Sequence, residues 1–422
     1  MCKESFGLKR FFVFAGTRPE IIKLAPLFWE LKRQNLNVEF VISGQHSDTL
    51  KGLLEVFDLK ENVHFLKLED NTDLLSIYSS ILKAVGEFLG KLDEEVRKKS
   101  VAIVQGDTAT TFAAAFASFL KGLEVVHIEA GLRTKNMRSP FPEEMNRRLV
   151  SELSTYHFAP TDRAKSNLLC EGVNPERIWV VGNTGIDSLV FVLSERVKKL
   201  NLENSRSYLQ RLLSSEFKGN TFELYKNLNE SGLKFILKDV LKKVNIRAFD
   251  KLILITFHRR ENFKAASEYA QAILEVALEF KKVLFTFVWH PNMQSQKFKR
   301  VFARHGLENT LLLPPLDYAL FSMMLLGADL VITDSGGIQE ETAFLGKPCF
   351  VMRRETERIE VLDKNVRLFP VPEQLKSFLK EVLTDFSKLK SYYVKSFVYG
   401  DGKAANKIVK ILKESGDSAG EF

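Results

Sequence analysis

The chain has 422 residues, of which 45% are hydrophobic and 27% are charged, and its formal net charge is +8. This length exceeds the size at which one hydrophobic core stops growing, so it predicts two domains, and the composition is ordinary for a soluble globular protein. The positive charge could serve an anionic partner. However, the lysines are spread along the chain and no RNP, zinc-finger or homeodomain signature is present, so we expect no nucleic-acid partner.

The cysteines and the apolar runs indicate the compartment. Cys2, Cys170 and Cys349 are widely spaced and have no partners at metal-ligand spacing, which predicts a reducing compartment and no metal site. We expect Cys170 and Cys349 to be packed as small hydrophobes. There is no signal-peptide pattern and no apolar stretch of membrane-spanning length, so we expect a cytoplasmic protein without a membrane span.

Short apolar runs alternate with helical periodicity through the first half of the chain. The predicted strands span residues 10–16, 38–44, 101–106, 124–130, 156–160 and 178–183. The predicted helices span residues 19–34, about 48–57, 73–98, 108–121, 143–153 and 162–172. Strands that alternate with helices predict a parallel, doubly wound α/β sheet, and the lack of polar alternation in the strands agrees with a sheet covered on both faces.

The same pattern restarts after residue 250 and predicts a second α/β domain. Its strands are predicted at 251–257, 282–290, 310–314, 329–334 and 348–353. Its helices are predicted at 264–280, 293–304, 317–327 and 338–345, and a final helix at about 402–415. Residues 192–250 are rich in Lys, Glu, Asn and Ser, and we interpret them as short helices plus an exposed insertion.

Three acidic residues lie where a predicted strand ends and a loop or helix begins: Asp107, Glu129 and Glu143. Ligands of doubly wound sheets bind outside the carboxyl ends of the strands. Carboxylates gathered there are costly to keep ionised together, so they favour proton-transfer chemistry. Two of them have structural alternatives. Asp107 could be a helix N-cap, and the negative charge of Glu143 could interact favourably with the dipole of the helix that it begins. Glu129 has no capping role.

Two turns are candidates for binding an anion. Gly16 directly follows a strand, and Arg18 and Lys23 flank the start of the next helix, whose backbone N–H groups attract anions. The turn matches neither GxGxxG nor GxxxxGK[ST], and the alternative is a capped turn with a surface arginine.

The second turn is TDSGGIQEE, where Ser335, Gly336 and Gly337 open a helix after a buried strand. Glu341, one turn further on, could accept hydrogen bonds from two ribose hydroxyls. The alternative is a capping box formed by Ser335 with Gln339 or Glu340.

Histidines and arginines follow two further strands. His258 with Arg259 and Arg260 could stabilise a diphosphate leaving group, and His290 lies at another strand end. Each histidine has the alternative of a purely structural role.

Several motifs in this order resemble the non-hydrolysing UDP-N-acetylglucosamine 2-epimerases, from about residue 11 to residue 410. These motifs are GTRPEIIKLAPL, QGDTATT, HIEAGLRT, PFPEEMNRR, GNTGID, HRREN, HPN, TDSGGIQEE, GKP, TERIE and YGDGKA. The resemblance implies two Rossmann-like doubly wound domains in a glycosyltransferase-B-like arrangement, with the nucleotide sugar between them. The expected N-terminal domain is 1–185 with the C-terminal helix 400–422 packed back on it, and the expected UDP-binding domain is 186–399 with an insertion around 200–250.

The resemblance also implies the reaction and its residues. Members interconvert UDP-N-acetylglucosamine and UDP-N-acetylmannosamine without NAD or metal, through elimination of UDP to 2-acetamidoglucal and re-addition, and they are homodimers. The implied catalytic residues are Asp107, Glu129, Glu143 and His258. The implied UDP-contacting residues are Arg18, Lys23, His290, Phe321, Ser335, Gly336, Gly337, Glu341 and Arg358, and the candidate regulatory residues are Gln45 and His46.

The chain departs from the family pattern at a few positions. Phe257 replaces a glycine before HRREN, which predicts crowding of the cleft, and Asp48 stands where a longer Gln or Glu usually reaches a regulatory UDP-sugar. The helix after residue 72 lacks the arginine that normally joins that site. These changes predict that the regulatory site is less well preserved than the chemistry.

Three other functions remain open on the sequence. A glycosyltransferase with a UDP-sugar donor would transfer the sugar without exchanging the C2 proton. A hydrolysing epimerase would release UDP and free N-acetylmannosamine. A non-catalytic UDP-sugar or nucleic-acid binding protein would use only the positive charge.

Overall fold

The chain divides into two compact units. The computed structural model describes residues 9–44, 48–69, 73–199, 248–257, 265–290 and 292–418. Unit 1 consists of Met1–Ser188 together with Val398–Phe422, and unit 2 consists of Leu189–Phe397. Most of the predicted insertion around 200–250 lies outside the described residues.

Unit 1 carries a seven-stranded sheet whose strand pairs are all parallel. Its strands are β1 (Arg10–Ala15), β2 (Asn37–Ile42), β3 (Val63–Phe65), β4 (Val101–Gln105), β5 (Glu124–Ile128), β6 (Tyr156–Ala159) and β7 (Ile178–Val180). They lie in the order β3-β2-β1-β4-β5-β6-β7, so the strand order reverses between β1 and β4. Such a reversal marks the crevice where doubly wound sheets bind ligands.

The helices of unit 1 begin mostly at polar caps and bury apolar faces. They are α1 (Arg18–Arg33), α2 (Asp48–Val56), α3 (Leu74–Gly90), α4 (Glu94–Lys98), α5 (Ala109–Leu120), α6 (Glu143–Leu153), α7 (Asp162–Cys170) and α8 (Thr184–Lys199), whose later residues belong to unit 2. Asp73 caps α3 and Thr161 caps α7, each accepting a hydrogen bond from a backbone N–H in the first turn. Buried side chains of α3, α5 and the central strands form one hydrophobic core.

Unit 2 carries a six-stranded parallel sheet. Its strands are β8 (Lys251–Thr256), β9 (Val283–Val288), β10 (Thr310–Leu313), β11 (Leu330–Thr333), β12 (Cys349–Val351) and β13 (Val366–Leu368). Its described helices after α8 are α9 (Ala266–Glu279), α10 (Met293–His305), α11 (Tyr318–Gly327), α12 (Gly336–Leu345) and α13 (Pro372–Thr384). The order β10-β9-β8-β11-β12-β13 reverses between β8 and β11, where a hydrogen bond of 2.7 Å joins the Thr256 and Thr333 hydroxyls.

The last helix, α14 (Ala404–Ser418), belongs to unit 1. The Asp187 carboxylate caps it by accepting hydrogen bonds from the backbone N–H groups of Ala404 at 3.1 Å and Ala405 at 2.9 Å. Asn406 donates a hydrogen bond to Glu30 on α1 at 3.1 Å. The C-terminal helix is therefore fixed at its first turn.

Some elements differ from the sequence-based expectations. Strands β3 and β13 were not predicted, because each has three residues and lacks a fully buried apolar run. Helix α13 was also missed, and the pattern predicted as one helix over 73–98 is two helices, with Asp93 at the N-cap of α4. Of the helices that the structure describes, none is both long enough and apolar enough to span a membrane.

One cysteine expectation is wrong. Cys349 is buried in β12, and burial raises the pKa of its thiol to about 12, but Cys170 is exposed at the end of α7. Helix α7 buries Ala164 and Leu168. Cys170 comes two residues after Leu168, about 200° further round the helix, so it faces away from the core.

Candidate active site

Asp107 lies in the turn after β4 and is held by two consecutive residues of α6. Arg147 donates to its carboxylate from Nε at 2.8 Å and from Nη2 at 2.7 Å. Asn146 Nδ2 donates to the backbone carbonyl of Asp107 at 2.7 Å. The alternative that Asp107 caps α5 is wrong, because Thr108 occupies the N-cap and accepts from the N–H of Thr111. The backbone and the carboxylate of Asp107 are therefore both fixed.

Glu129 directly follows β5 and is buried, with 6% of its surface exposed. Lys23 Nζ on α1 lies 2.5 Å from its Oε2, and the Gln105 side-chain amide donates to the same oxygen. The backbone of Glu129 has φ +66°, in the left-handed region that side-chain-bearing residues rarely adopt. A buried acid in a strained backbone conformation is characteristic of functional sites.

Glu143 is the first residue of α6, and its neighbour Glu144 has a structural role. Glu144 is fully buried and accepts hydrogen bonds from the backbone N–H groups of Thr134 and Lys135, each at 3.0 Å. It also accepts from Arg147 Nη1 at 3.2 Å. Glu144 thus fixes the loop before α6, whereas Glu143 is only partly buried.

Asp107 and Glu143 lie close enough to Tyr78 on α3 to affect its phenol. Burial raises the pKa of Tyr78, and the negative charges of Glu143 and Asp107 raise it further. Glu129 adjoins the same turn, since a Cβ added to Gly106 would lie 3.9 Å from Glu129 Oε2. The structure therefore brings the three predicted acids to one region of unit 1.

His127 supports the Gly106 turn through a hydrogen bond. Its Nε2 lies 2.8 Å from the Gly106 carbonyl oxygen, and burial lowers the pKa of His127 to about 4. The ring is therefore neutral near pH 7, and its Nε2–H donates to the carbonyl. His127 thus helps to fix the turn that carries Asp107.

Glu20 joins the turn after β1 to the turn after β4. Its carboxylate accepts hydrogen bonds from the backbone N–H of Thr17 at 2.8 Å and from the Thr108 and Thr111 hydroxyls at 2.6 and 3.1 Å. Burial raises the pKa of Glu20, and hydrogen bonds from Thr108, Thr17 and Gly16 oppose that shift. These contacts hold the predicted anion-binding turn against the turn that carries Asp107.

A cavity of about 310 Å³ opens beside these two turns. Its lining includes Gly16, Thr17, Gly44 and Thr108. A side chain at position 16 would force Thr110 to move, because its Cβ would lie 2.0 Å from Thr110 Oγ1. Gly44 immediately precedes Gln45 and His46, the candidate regulatory residues, which lie outside the described residues.

In unit 2, the first turn of α12 lies under a buried arginine. A Cβ added to Gly336 would lie 2.9 Å from the Arg358 guanidinium carbon. Arg358 donates from Nε to Glu340 at 2.8 Å and from Nη1 to Glu357, which also accepts from Arg353 at 3.0 Å. This network places a guanidinium at a helix N-terminus, a combination that favours an anion.

Ser335 is the N-cap residue of α12 by backbone conformation. Within the described part of the chain its side chain makes no capping hydrogen bond, so the capping-box alternative is wrong. Instead, the Gln339 amide donates to the Ser335 carbonyl at 3.2 Å, and the Thr356 hydroxyl donates to Gln339 Oε1 at 2.9 Å. Gly337 follows Gly336 in the first turn of the helix.

Glu341 faces helix α11. The Tyr318 hydroxyl donates to Glu341 Oε1 at 2.8 Å, and Phe321 lies three residues after Tyr318 on the same helix. Residues three apart share a helix face. The structure therefore brings the predicted ribose-binding acid near the helix that carries the predicted uracil-contacting ring.

His290 and His258 follow β9 and β8, respectively. The backbone N–H of Asn292 donates to His290 Nδ1 at 3.3 Å. His258, Arg259 and Arg260 lie outside the described residues. Phe257, expected to crowd the cleft, is instead 1% exposed in the hydrophobic core of unit 2, with its ring centroid 5.4 Å from that of Phe298.

Sequence reasoning missed the residues that support these side chains. Those residues are Glu20, Tyr78, Gln105, Asn146, Arg147, Arg353 and Glu357. Only Glu20 had a local signal, since Thr17 and Glu20 have the capping-box spacing. Within the described residues, His, Cys, Asp and Glu side chains form no group of three that could hold a metal ion.

Comparison with known proteins identifies the family. A family model described as UDP-N-acetylglucosamine 2-epimerase matches residues 30–413. The chain belongs to the UDP-N-acetylglucosamine 2-epimerase family. It is 34% identical over 412 residues to the UDP-N-acetylglucosamine 2-epimerase of Campylobacter jejuni, covering 96% of this chain and 97% of that protein. It is 36% identical over 408 residues to the Salmonella borreze enzyme, covering 95% of this chain and 97% of that protein.

Solved structures of this family show the same fold. The Neisseria meningitidis UDP-GlcNAc 2-epimerase, crystallised with UDP-GlcNAc, is 32% identical with a TM-score of 0.81, covering 96% of this chain and all of that chain. The predicted fold class, two Rossmann-like doubly wound sheets of the glycosyltransferase-B class, is confirmed. The prediction that the chain is an isomerase, namely an epimerase, is also confirmed.

Proposed function

We propose that this chain interconverts UDP-N-acetylglucosamine and UDP-N-acetylmannosamine by the non-hydrolysing route. Family membership supports the reaction, and the Neisseria meningitidis relative binds UDP-GlcNAc. The observation that carries the route is the gathering of Asp107, Glu129 and Glu143 in one region of unit 1. Epimerisation through a glycal needs a proton-transfer group on each face of the sugar, whereas simple sugar transfer needs one base.

The reaction balances without a redox cofactor. The C1–O bond breaks and UDP leaves with its electron pair, while a carboxylate takes the C2 proton and the C–H pair forms the C1=C2 double bond of 2-acetamidoglucal. In the addition step that follows, a carboxylic acid on the other face gives its proton to C2, and a UDP oxygen adds to C1. Asp107, Glu129 and Glu143 are the candidate groups for both transfers, and which acid serves which face stays open.

Cations and helix N-termini would stabilise the leaving diphosphate. Arg18 begins α1, and Arg358 lies over the first turn of α12, where Ser335, Gly336 and Gly337 present backbone N–H groups. We assign UDP contacts to these residues and to His290, with Glu341 on the ribose and Phe321 against uracil. We retain His258 as the catalytic histidine near the diphosphate.

Lys23 has two roles to reconcile. The resemblance implies a UDP contact, and its ammonium pairs with Glu129 at 2.5 Å. We propose that Lys23 pairs with Glu129 and presents the same positive charge to the diphosphate. The homodimer, the cytoplasmic location and the regulatory role of Gln45 and His46 remain predictions.

Incubation with UDP-N-acetylglucosamine in deuterium oxide tests the proposal. Proton NMR should show UDP-N-acetylmannosamine with deuterium at C2, and the same mixture from either starting sugar nucleotide. UDP with free N-acetylmannosamine would indicate the hydrolysing reaction instead. Sugar transfer to an acceptor without C2 exchange would indicate a glycosyltransferase. No exchange with either nucleotide sugar would reject the proposal.

A further inference from the structure

Tyr78 lies on α3, outside the motifs that carry the family resemblance, yet it reaches the candidate acids. Its hydroxyl donates a hydrogen bond to Asn146 Oδ1 at 2.8 Å. Its ring packs against Phe112 on α5, with 5.8 Å between ring centroids. The side chain is thus fixed by contacts to two other helices, α5 and α6.

The Asp107 carbonyl sets the orientation of the Asn146 amide, and Tyr78 holds the other end of that amide. An Asn side chain has one oxygen that accepts and one nitrogen that donates. The Asp107 carbonyl can only accept, so the Asn146 nitrogen donates to it at 2.7 Å and the Asn146 oxygen is left to accept from Tyr78. Tyr78, Asn146 and Asp107 therefore form a directed chain, and reversing the amide would place its oxygen beside the Asp107 carbonyl oxygen and break that hydrogen bond.

The Tyr78 hydroxyl is suited to remain a hydrogen-bond donor to Asn146. Burial is the largest cause that raises the pKa of Tyr78; the hydrogen bond with Asn146 opposes this shift, and the nearby charges of Glu143 and Asp107 add to it. The hydroxyl therefore keeps its proton across the pH range in which an epimerase would be assayed. Ionised Tyr78 could not donate to Asn146, so this shift preserves the chain of hydrogen bonds.

We propose that Tyr78 is a positioning residue for the epimerase reaction, acting through Asn146 to fix the Asp107 turn. The inference rests on the proposed function, because Asp107 must take part in proton transfer. Arg147 holds the carboxylate of Asp107, and Tyr78 with Asn146 holds its backbone. Together they set the direction of the carboxylate relative to Glu143, which begins the helix that carries Asn146 and Arg147.

Steady-state kinetics of Tyr78→Phe, Asn146→Ala and the double variant test this role. Tyr78→Phe should lower kcat about 3- to 10-fold, the effect of one net hydrogen bond, and should change KM by less than about twofold. Asn146→Ala should lower kcat at least as much. The double variant should be no slower than Asn146→Ala, because residues acting through one another are not additive.

Tyr156→Phe is a matched control for loss of a phenol hydroxyl in the same unit. Tyr156 is buried in β6, and its hydroxyl interacts with Glu124, away from the candidate acids. The control should lose thermal stability comparable to that lost by Tyr78→Phe and keep the wild-type kcat. A purely structural role for Tyr78 would lower stability in both variants without this difference in kcat.

The outcomes separate this inference from the proposed function. If wild type exchanges the C2 proton and Tyr78→Phe matches its kcat, the positioning role is overturned and the proposed function stands. Additive losses in the double variant would likewise overturn it, because they would show that Tyr78 does not act through Asn146. Absence of exchange in wild type would overturn both.

Discussion

Lys23 on α1 places its ammonium 2.5 Å from the buried carboxylate of Glu129 after β5. Lys23 lies one turn along α1 from the turn that follows β1, so the ion pair joins the predicted anion-binding segment to a candidate acid. Glu20, on the same helix, joins this segment to the Asp107 turn. Two residues of α1 therefore connect the ends of β1, β4 and β5.

The ion pair should contribute measurably to stability. Lys23→Met should lower the free energy of unfolding by about 3 kcal/mol, because it removes one partner of a buried ion pair. Urea denaturation measures this loss. Adding Glu129→Gln should recover part of it, and Lys32→Met should stay close to wild type because its partner Glu61 is exposed on the surface. Equal losses for Lys23→Met and Lys32→Met would contradict the prediction.

The three acids should be needed for proton exchange more than for binding. Asp107→Asn, Glu129→Gln and Glu143→Gln should each lower deuterium exchange at C2 by at least about 100-fold, the scale of general acid–base catalysis. Calorimetry should show UDP binding within a few-fold of wild type. Glu152→Gln makes the same chemical change at an exposed position of α6 and should exchange normally. Loss of binding in parallel with exchange would assign the acids a structural role.

Gly336 should be needed for the position of Arg358. The Cβ of Gly336→Ala would lie 2.9 Å from the guanidinium carbon, so the arginine must move, and UDP affinity should fall about 10-fold, the scale of one charge-assisted hydrogen bond. For Gly337→Ala, the added Cβ meets no described atom within 4 Å and leaves Arg358 in place. Calorimetry with UDP should therefore show the larger loss for Gly336→Ala. The reverse order would show that Arg358 does not contact the nucleotide.

Two buried histidines should make unit 1 sensitive to acid. Burial lowers the pKa of His127 to about 4 and that of His157 to about 3. In an unfolded chain both titrate near 6.5. Between pH 6.5 and 4 the unfolded state therefore binds more protons, and stability falls as the pH drops, by about 2 kcal/mol per histidine at pH 5.

Denaturation curves at pH 7, 6 and 5 measure this effect. His127→Gln removes one titrating ring and keeps a donor for the Gly106 carbonyl, so its stability should depend less on pH than that of wild type. His305→Gln makes the same chemical change at an exposed position of unit 2 and serves as the comparison. An unaltered slope in His127→Gln would show that folding does not lower the pKa of this ring.

The sequence predicted the strand ends well because apolar runs are local signals. Asp107 and Glu129 follow β4 and β5, as their positions in the chain indicated. Short strands such as β3 carry too few residues for such a signal. Helix α13 carries a local signal, because Leu375, Leu379 and Val382 lie on one buried face, although the sequence analysis did not predict this helix.

The supporting residues of the site could not be predicted in the same way. Tyr78 meets Asn146 across 68 positions of chain, and Lys23 meets Glu129 across 106. Such pairs depend on how helices pack on the sheet, which no local spacing specifies. For Phe257 the local sequence was misleading, because its position next to His258 suggested a residue of the cleft. Side chains alternate along a strand, and Phe257 points into the same core as Ile253 and Ile255.

The cap that Asp187 provides for α14 has a consequence for synthesis. Unit 1 needs residues beyond 397 for its last helix, and these emerge from the ribosome only after all of unit 2 has been translated. Until then the α1 surface that receives α14 stays uncovered in the nascent chain. The N-terminal half must wait for the synthesis of Ala404–Ser418 before its own fold is complete.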